Sequence, residues 1–330
     1  MLATNFALRS CDASTGQLHK ARSYVFGTLV EVTICAENHR LAQHLATTVF
    51  EDFDRLHWML HAWKDSDLVK LNRAIAAGDR NIPVKPELAQ LIRNATVFSE
   101  QSNGLFNPAI GKLVALWNFH ASEFSPVSPD PQDIRRVLNA NPRMTDLALE
   151  KNTVNCINRC VQLDFGGYAK GYALDRAIRF LRKHALAGAL INIGGNIMAM
   201  GQKEAQPWHI GIQHPRKPDP IALLQLHDGE AISTSGDYER YFMLNGKRHS
   251  HLIDPRTGQP ASGMQSATVL VKRGDSSGTR SDASSGPLFI QGTAGWRKMA
   301  AQLGVSSAML IDERGEIHLT DEMRDRVELV

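Results

Sequence analysis

The amino-acid sequence predicts an α+β fold with largely antiparallel sheets and flanking helices. Three observations carry this. Residues 26–35 alternate apolar and polar groups with a period of two, and residues 39–62 carry them at helical spacing. Short strand-like runs outnumber helices in the second half of the chain. Regular strand–helix–strand alternation, which a doubly wound parallel sheet requires, is missing. The chain has 330 residues. It divides into a polar, unpatterned segment over residues 1–22 that is expected to be disordered, one domain over 23–320, and a short tail over 321–330. No internal repeat is visible.

The elements follow in order. In FGTLVEVTIC (26–35), Leu29, Glu31 and Thr33 share one face and Val30, Val32 and Ile34 the other, the pattern of a half-buried strand. Leu41, Leu45, Val49, Phe53, Leu56 and Leu60 line one side of a long amphipathic helix. Pro86 opens and Gly104 closes a second helix over 86–103. The proline-rich run 120–132 reads as a surface loop, and Asp130-Pro131 starts a short helix through Leu138. A hairpin is expected over 146–163 (LALEKN, then TVNCI and VQLDF), then a helix over 167–187. Strands are expected at 189–200, 207–214, 222–226, 231–233, 239–244, 248–253 and 266–272. A helix at 295–304 and a hairpin at 308–318 around Glu313-Arg314-Gly315 complete the set.

Composition narrows the function. Hydrophobic residues make up 43% and charged residues 22% of the chain, ordinary values for a globular protein, and the net charge is +3. That balance excludes a clustered basic nucleic-acid surface and supports at most a weak preference for anionic ligands. Cys11, Cys35, Cys156 and Cys160 match neither a zinc site nor a CxxC redox pair and read as free thiols. No run approaches the ~20 apolar residues of a membrane span, and the N-terminus lacks a signal peptide's apolar core. A cytoplasmic location is expected for the chain as written, or a periplasmic or membrane-associated one if translation starts upstream.

Five segments carry candidate chemistry. In LDFGGYAKGYALDR (163–176), Gly166 and Gly167 sit at a strand-to-helix turn, where backbone N–H groups and the helix dipole favour an anion. Lys170 falls in the first helical turn, where a cation is disfavoured unless it faces phosphate or carboxylate. Asp175 follows where it can hold Lys170 or a ligand hydroxyl; the bland alternative is a tight turn with a solvated lysine. In LINIGGNIMAMG (190–201), Gly194, Gly195 and Asn196 interrupt a buried strand, marking close approach of a ligand or of another backbone. Ser233, Thr234, Ser235 and Gly236 offer donors to a phosphate or ribose, or make a Ser/Thr turn. His251, Asp254, Arg256 and Thr257 fall in a strand and turn, with His251 a general acid/base, an adenine contact or a structural histidine. Asp282, among serines, suits a hard cation such as Mg²⁺ or a helix cap. Trp117 and Phe119 in GLFNPAIGKLVALWNF (104–119) read as core rather than as a stacking wall.

Taken together these segments resemble the ApbE-type FAD:protein FMN transferases. Six motifs match in order between Phe26 and Gly292: FGT, GLFNPAIGKLVALWNF, LDFGGYAKGYALDRA, ALINIGGNIMAMG, ISTSGDYERYF and HLIDPRTGQPA. The resemblance implies an ApbE-like flavin transferase fold that holds FAD as substrate in a cleft. It implies transfer of FMN to a threonine of a target flavoprotein, with release of AMP. The glycines and Lys170 would lie near the phosphates, the Tyr168 ring and the turn Thr234–Tyr238 would frame the nucleotide, and Lys170, His251 and Asp254 would surround the reacting centre. The family binds Mg²⁺ through an aspartate, a threonine four positions on and an alanine carbonyl. Asp282 and Ala169 match, whereas Gly286 stands at the threonine position. This departure keeps two alternatives open, an FAD pyrophosphatase that uses water and a non-catalytic FAD-binding protein with a degraded metal site. A monomer or a homodimer is expected.

Overall fold

The computed structural model describes residues 17–121 and 126–330. In chain order the first half contains β1 (Gln17–Val25), β2 (Thr28–Ala36), α1 (His39–Leu60), α2 (Asp67–Ala77), β3 (Ile82–Pro83), α3 (Pro86–Gln101), α4 (Gly111–Leu116), α5 (Pro131–Ala140), β4 (Leu147–Glu150), β5 (Thr153–Cys156) and α6 (Ala169–Leu181). The second half contains β6 (Gly188–Ile193), β7 (Asn196–Gly201), β8 (Trp208–Gln213), β9 (Pro220–Leu226), β10 (Ala231–Gly236), β11 (Tyr241–Leu244), β12 (Lys247–Ser250), β13 (Met264–Val271), α7 (Ser277–Gln291), α8 (Trp296–Gln302), β14 (Ser307–Asp312), β15 (Ile317–Leu319), α9 (Asp321–Arg324) and β16 (Val327–Leu329).

An eight-stranded antiparallel sheet in the order β1-β2-β6-β7-β10-β13-β14-β15 forms the centre. Smaller antiparallel sheets, β16-β9-β8 and β3-β5-β4, and the β11–β12 hairpin stand beside it. The expectation of antiparallel sheets with flanking helices holds. The largest apolar core lies between the β1–β2–β6–β7 half and helices α1, α3 and α6, where Val32, Ile34, Phe53, Leu56, Leu91, Leu174 and Ile191 are buried. The Asn38 side chain caps α1 by accepting from Leu41 N. Burial of the Leu45–Val49–Phe53–Leu56 stripe then supplies what isolated helix propensity does not. Among the described residues, no helix is long and apolar enough to cross a membrane.

Several expectations require correction. Residues 17–22 are the first part of β1, paired with β2, while 1–16 lie outside the described residues. Residues 321–330 form α9 and β16, and β16 pairs with β9. The chain from 189 to 200 is a hairpin, not an interrupted strand: Gly194 (φ 55°) and Gly195 (φ 90°) make its two-residue turn between β6 and β7. VQLDF makes only a single bridge, Gln162 to Ile110. Gln162 and Asp164 bond to the backbone of residues 108–111, and between them Leu163 is satisfied by Asn72, whose side chain accepts from Leu163 N (2.8 Å) and donates to Leu163 O (2.9 Å). Asn72 belongs to α2, an element the sequence reading did not assign, although Ser66 caps it and Gly78 closes it at φ 84°. Residues 281–289 are the body of α7, which continues through Pro287. Trp117 and Phe119 are buried as expected, and Trp117 Nε1 donates to Gly258 O (2.7 Å). Cys156 and Cys160 are free thiols and Cys35 is buried in β2; Cys11 and loop residues 122–125 lie outside the described residues.

Candidate active site at the start of helix α6

The turn before α6 is built by Asp164, whose Oδ1 accepts from Gly166 N (2.9 Å), and by Phe165 O, which accepts from the N–H groups of Tyr168 and Ala169. Gly166 and Gly167 are exposed, and a β-carbon at Gly167 would meet no atom within 4 Å. The positive end of α6 therefore faces open space. Lys170, the second residue of α6, lies close enough to act electrostatically on both Asp282 and His251.

Asp282 reaches this corner because α6 and α7 cross in direct contact. A β-carbon on Gly171 would lie 2.2 Å from Gly278 O, and one on Gly278 would lie 2.6 Å from Gly171 O. Only glycine at both positions allows the backbones so close. Asp282 Oδ2 accepts from Gly171 N (2.9 Å). Burial raises the Asp282 carboxyl pKa, opposed by Lys170, by the Gly171 N–H and by Asn196. Asn196 is 1% exposed, and its Nδ2 lies toward the Asp282 carboxylate without closing a hydrogen bond in good geometry among the described residues. An under-satisfied amide donor, an ammonium group and a buried carboxylate thus converge beside an exposed helix start. That combination fits an anion bridged to a cation far better than it fits a dry core.

α7 also packs closely on the sheet. Ser281 bonds Ser233 and Ser285 bonds Ser235, both at 2.8 Å, and Thr234 bonds Thr268 at 2.9 Å. The Thr234 and Ser235 hydroxyls each have one protein partner among the described residues and stay partly exposed, with acceptor capacity left over. Gly236 accommodates the Tyr238 ring, which a β-carbon there would meet at 2.4 Å. Gly286 faces the same strand, and the nearest atom to a β-carbon there is Ser235 Oγ at 3.9 Å. The position has room for a side chain and supplies no hydroxyl.

His251 is the other polar group of the site. Arg240 O accepts from its backbone N (3.0 Å) and lies 3.2 Å from Nδ1. A neutral ring can meet that carbonyl only with the proton on Nδ1, which leaves the Nε2 lone pair as acceptor. Burial, then the charges of Arg240 and Lys170, push its pKa down to about 3, opposed by the hydrogen bond to Arg240. Arg240 donates through Nη2 to Phe119 O (2.7 Å), and desolvation lowers its own pKa against the charge of Asp164. Burial raises the Asp164 pKa, opposed by the Gly166 N–H and by Arg240. Neither Asp164 nor Arg240 was singled out from the sequence. The signal was a carboxylate directly before the glycine pair and a cation just after the Ser/Thr cluster.

Five expected site residues have structural roles of their own. The Tyr168 ring is fully buried among Phe98, Phe106, Phe165 and Tyr172, so it belongs to the core and frames no ligand. Asp175 holds neither Lys170 nor an open ligand position. Its oxygens accept from Gly278 N (2.8 Å), Thr279 N (2.8 Å) and Thr279 Oγ1 (2.5 Å) at the start of α7. Asp254 is committed to Arg256, whose N (2.9 Å), Nε (2.9 Å) and Nη2 (2.8 Å) all donate to it. Thr257 lies in the same turn, with Oγ1 accepting from Gln259 N. Gly194 is glycine because a β-carbon would lie 2.5 Å from Thr28 Oγ1, whereas Gly195 opens onto free space.

The chain is similar to known proteins of one family. A family model described as the ApbE family matches residues 26–310. The chain is 38% identical to an FAD:protein FMN transferase of Rhodobacter capsulatus over 307 residues, covering 93% of this chain and 58% of that protein. It is 32% identical to an FAD:protein FMN transferase of Treponema pallidum, covering 84% of this chain and 82% of that protein. The fold superposes on the crystal structure of the ApbE protein of Thermotoga maritima with a TM-score of 0.84 at 30% identity, covering 94% and 99% of the two chains. It superposes on apo flavinyl transferase ApbE of Pseudomonas stutzeri with a TM-score of 0.80 at 25% identity, covering 94% and 97%.

Proposed function

Since the chain belongs to the ApbE family, we propose that it is an FAD:protein FMN transferase that moves FMN from FAD to a threonine of an acceptor flavoprotein and releases AMP. The observation that carries this reading is the convergence of Lys170, Asp282 and the under-satisfied Asn196 amide on the exposed start of α6. The FAD diphosphate would lie there, against the N–H groups of the Gly166–Gly167 turn and the helix dipole. Mg²⁺ fits the buried Asp282 carboxylate, with the Ala169 carbonyl as a second oxygen and water in place of the hydroxyl that Gly286 lacks. When bound, the ion neutralises charge on the diphosphate oxygens.

The protein's own groups do the rest. The threonine hydroxyl oxygen attacks the phosphorus of the FMN half, forming the new O–P bond. The bond to the bridging oxygen breaks, and its electron pair leaves with AMP. Lys170 and the turn N–H groups stabilise the charge that develops there. The hydroxyl proton passes to His251 Nε2, the acceptor left when Nδ1 donates to Arg240 O. In the free protein burial, and after it the cations Arg240 and Lys170, keep this imidazole neutral. A bound diphosphate counters both charges and makes the ring a stronger base. Asp254, bound to Arg256, fixes the turn rather than taking the proton.

The test is to incubate the protein with FAD, Mg²⁺ and an acceptor domain bearing a flavinylation threonine. The acceptor mass should increase by one FMN, with AMP appearing in equal amount. AMP and free FMN with no gain in acceptor mass would replace this reading with the pyrophosphatase. FAD binding with no AMP at all would leave a non-catalytic FAD binder.

A further inference from the structure

The crossing of α6 and α7 contains the same five-residue pattern twice, Gly-x-x-x-Asp at Gly171–Asp175 and at Gly278–Asp282. Residues four apart lie on one face of a helix, so each glycine and its aspartate face the opposite helix together. The glycines touch at the crossing point, and each aspartate accepts from the N–H of the other helix's glycine: Asp282 from Gly171 (2.9 Å) and Asp175 from Gly278 (2.8 Å). Each helix therefore caps the start of its neighbour. Gly171 N and Gly278 N belong to the first helical turns, whose donors have no partner within their own helix.

The two carboxylates differ in what else they hold. Asp175 also accepts from Thr279 N and from Thr279 Oγ1, so three donors share its two oxygens. The equivalent position on α6 is Tyr172, which has no hydroxyl near the backbone and whose N–H is spent on Tyr168 O. Asp282 is left with Gly171 N as its one hydrogen bond in good geometry among the described residues, Lys170 nearby, and the Asn196 amide unsatisfied. A near-symmetric pair has been made unequal. One carboxylate is saturated by protein donors, and the other keeps acceptor capacity beside an open turn.

We propose that Asp175 is a positioning residue for the cation-binding carboxylate: by clamping the first turn of α7 to α6 it fixes where Asp282, one turn further along the same face, stands relative to Ala169 and Lys170. This rests on the reading of Asp282 as the metal ligand. The inequality also explains why the aspartate in the glycine-rich motif faces away from the ligand position. Asp175 holds the frame and Asp282 meets the cation. Loss of the clamp removes the bonds that tie Gly278 and Thr279 to α6, leaving the start of α7 held by the Ser277 hydroxyl on Lys272 O and by the Asp282–Gly171 bond. Outer partners of this kind commonly change metal affinity by about 10–100-fold when altered.

The experiment is titration of Mn²⁺ into the full-length protein, followed by electron paramagnetic resonance, for wild type, Asp175→Asn, Thr279→Ala and Asp282→Asn. Thr279→Ala removes one donor to Asp175 and keeps both backbone caps, so it reports even if Asp175→Asn folds poorly. Wild type should bind one tightly held ion, and Asp282→Asn should lose it. Asp175→Asn should bind about tenfold more weakly and Thr279→Ala a few-fold more weakly, at temperatures where circular dichroism shows each variant folded. Unchanged Mn²⁺ affinity in folded Asp175→Asn and Thr279→Ala, even with a lowered melting temperature, would overturn the positioning role while leaving the metal reading intact. A wild-type protein that takes up no Mn²⁺, or an Asp282→Asn variant that binds as wild type does, would overturn both.

Discussion

Gly171→Ala tests the α6–α7 crossing with the smallest possible change. The added methyl would lie 2.2 Å from Gly278 O and 2.7 Å from Asp282 Cβ, against a van der Waals separation near 3.4–4 Å. Neither obstacle is the free end of a flexible side chain, so α7 must retreat by more than an ångström. Overpacking of this kind costs about 1–3 kcal/mol. The retreat also breaks the bond from Gly171 N to the Asp282 carboxylate, a charged pair worth about 1.5–3 kcal/mol. Alanine's better helix propensity returns about 1 kcal/mol. The net expectation is destabilisation of about 3 kcal/mol, a fall in melting temperature of about 4 °C for a chain of this size. Gly167→Ala is the control. Its methyl would meet nothing within 4 Å, and stability should stay within about 0.5 kcal/mol. Thermal unfolding and urea titration of both variants are the assay. A Gly171→Ala protein as stable as wild type, with unchanged Mn²⁺ affinity, would refute the close-crossing argument.

Lys170→Ala should weaken FAD binding, and the loss should shrink as salt is added, because the group acts by charge; equal dissociation constants at low and high ionic strength would count against it. Gly286→Thr should tighten Mg²⁺ binding a few-fold, since the position accepts a β-carbon 3.9 Å from Ser235 Oγ and the threonine supplies the missing hydroxyl. Calorimetry showing weaker binding would refute that. His251 titrates lower in the fold than in the unfolded chain, so its contribution to stability is present above about pH 6.5 and is lost as pH falls toward 3. His251→Phe should flatten that acid limb of the stability curve, and an unchanged limb would show that the ring is not held neutral.

How much of this was legible in the sequence differs from element to element. The long amphipathic run of α1 and the alternation of β2 announce themselves because burial of one face is what makes them stable. VQLDF does not join the hairpin before it because its partners are distant in sequence: Asn72 takes both hydrogen bonds of Leu163, and residues 108–111 take those of Gln162 and Asp164. α7 was hidden by composition: serines and glycines are weak helix formers, and the helix is stable because small residues let it lie against β10, with Ser281 and Ser285 bonded across. The site was legible as motifs and not as roles. Lys170, Asp282, Asn196 and His251 do meet in one corner. Asp175 and Tyr168, one in the same motif as Lys170 and the other beside it, turn to the frame and the core because a helix sends neighbouring residues to different faces. Asp254 sits in a motif that suggests chemistry, but its carboxylate is taken by Arg256 within the same turn. Asp164 and Arg240 matter through surroundings that only the folded chain assembles.

The central claim is that a diphosphate and a cation occupy the corner between the start of α6 and Asp282. A crystal structure grown with FAD and Mn²⁺ tests it most directly. The account predicts the diphosphate against the Gly166–Gly167 turn within reach of Lys170, the Asn196 amide satisfied, and anomalous Mn²⁺ density on the Asp282 carboxylate. FAD bound elsewhere, with Lys170 turned to solvent and no anomalous peak at Asp282, would contradict it.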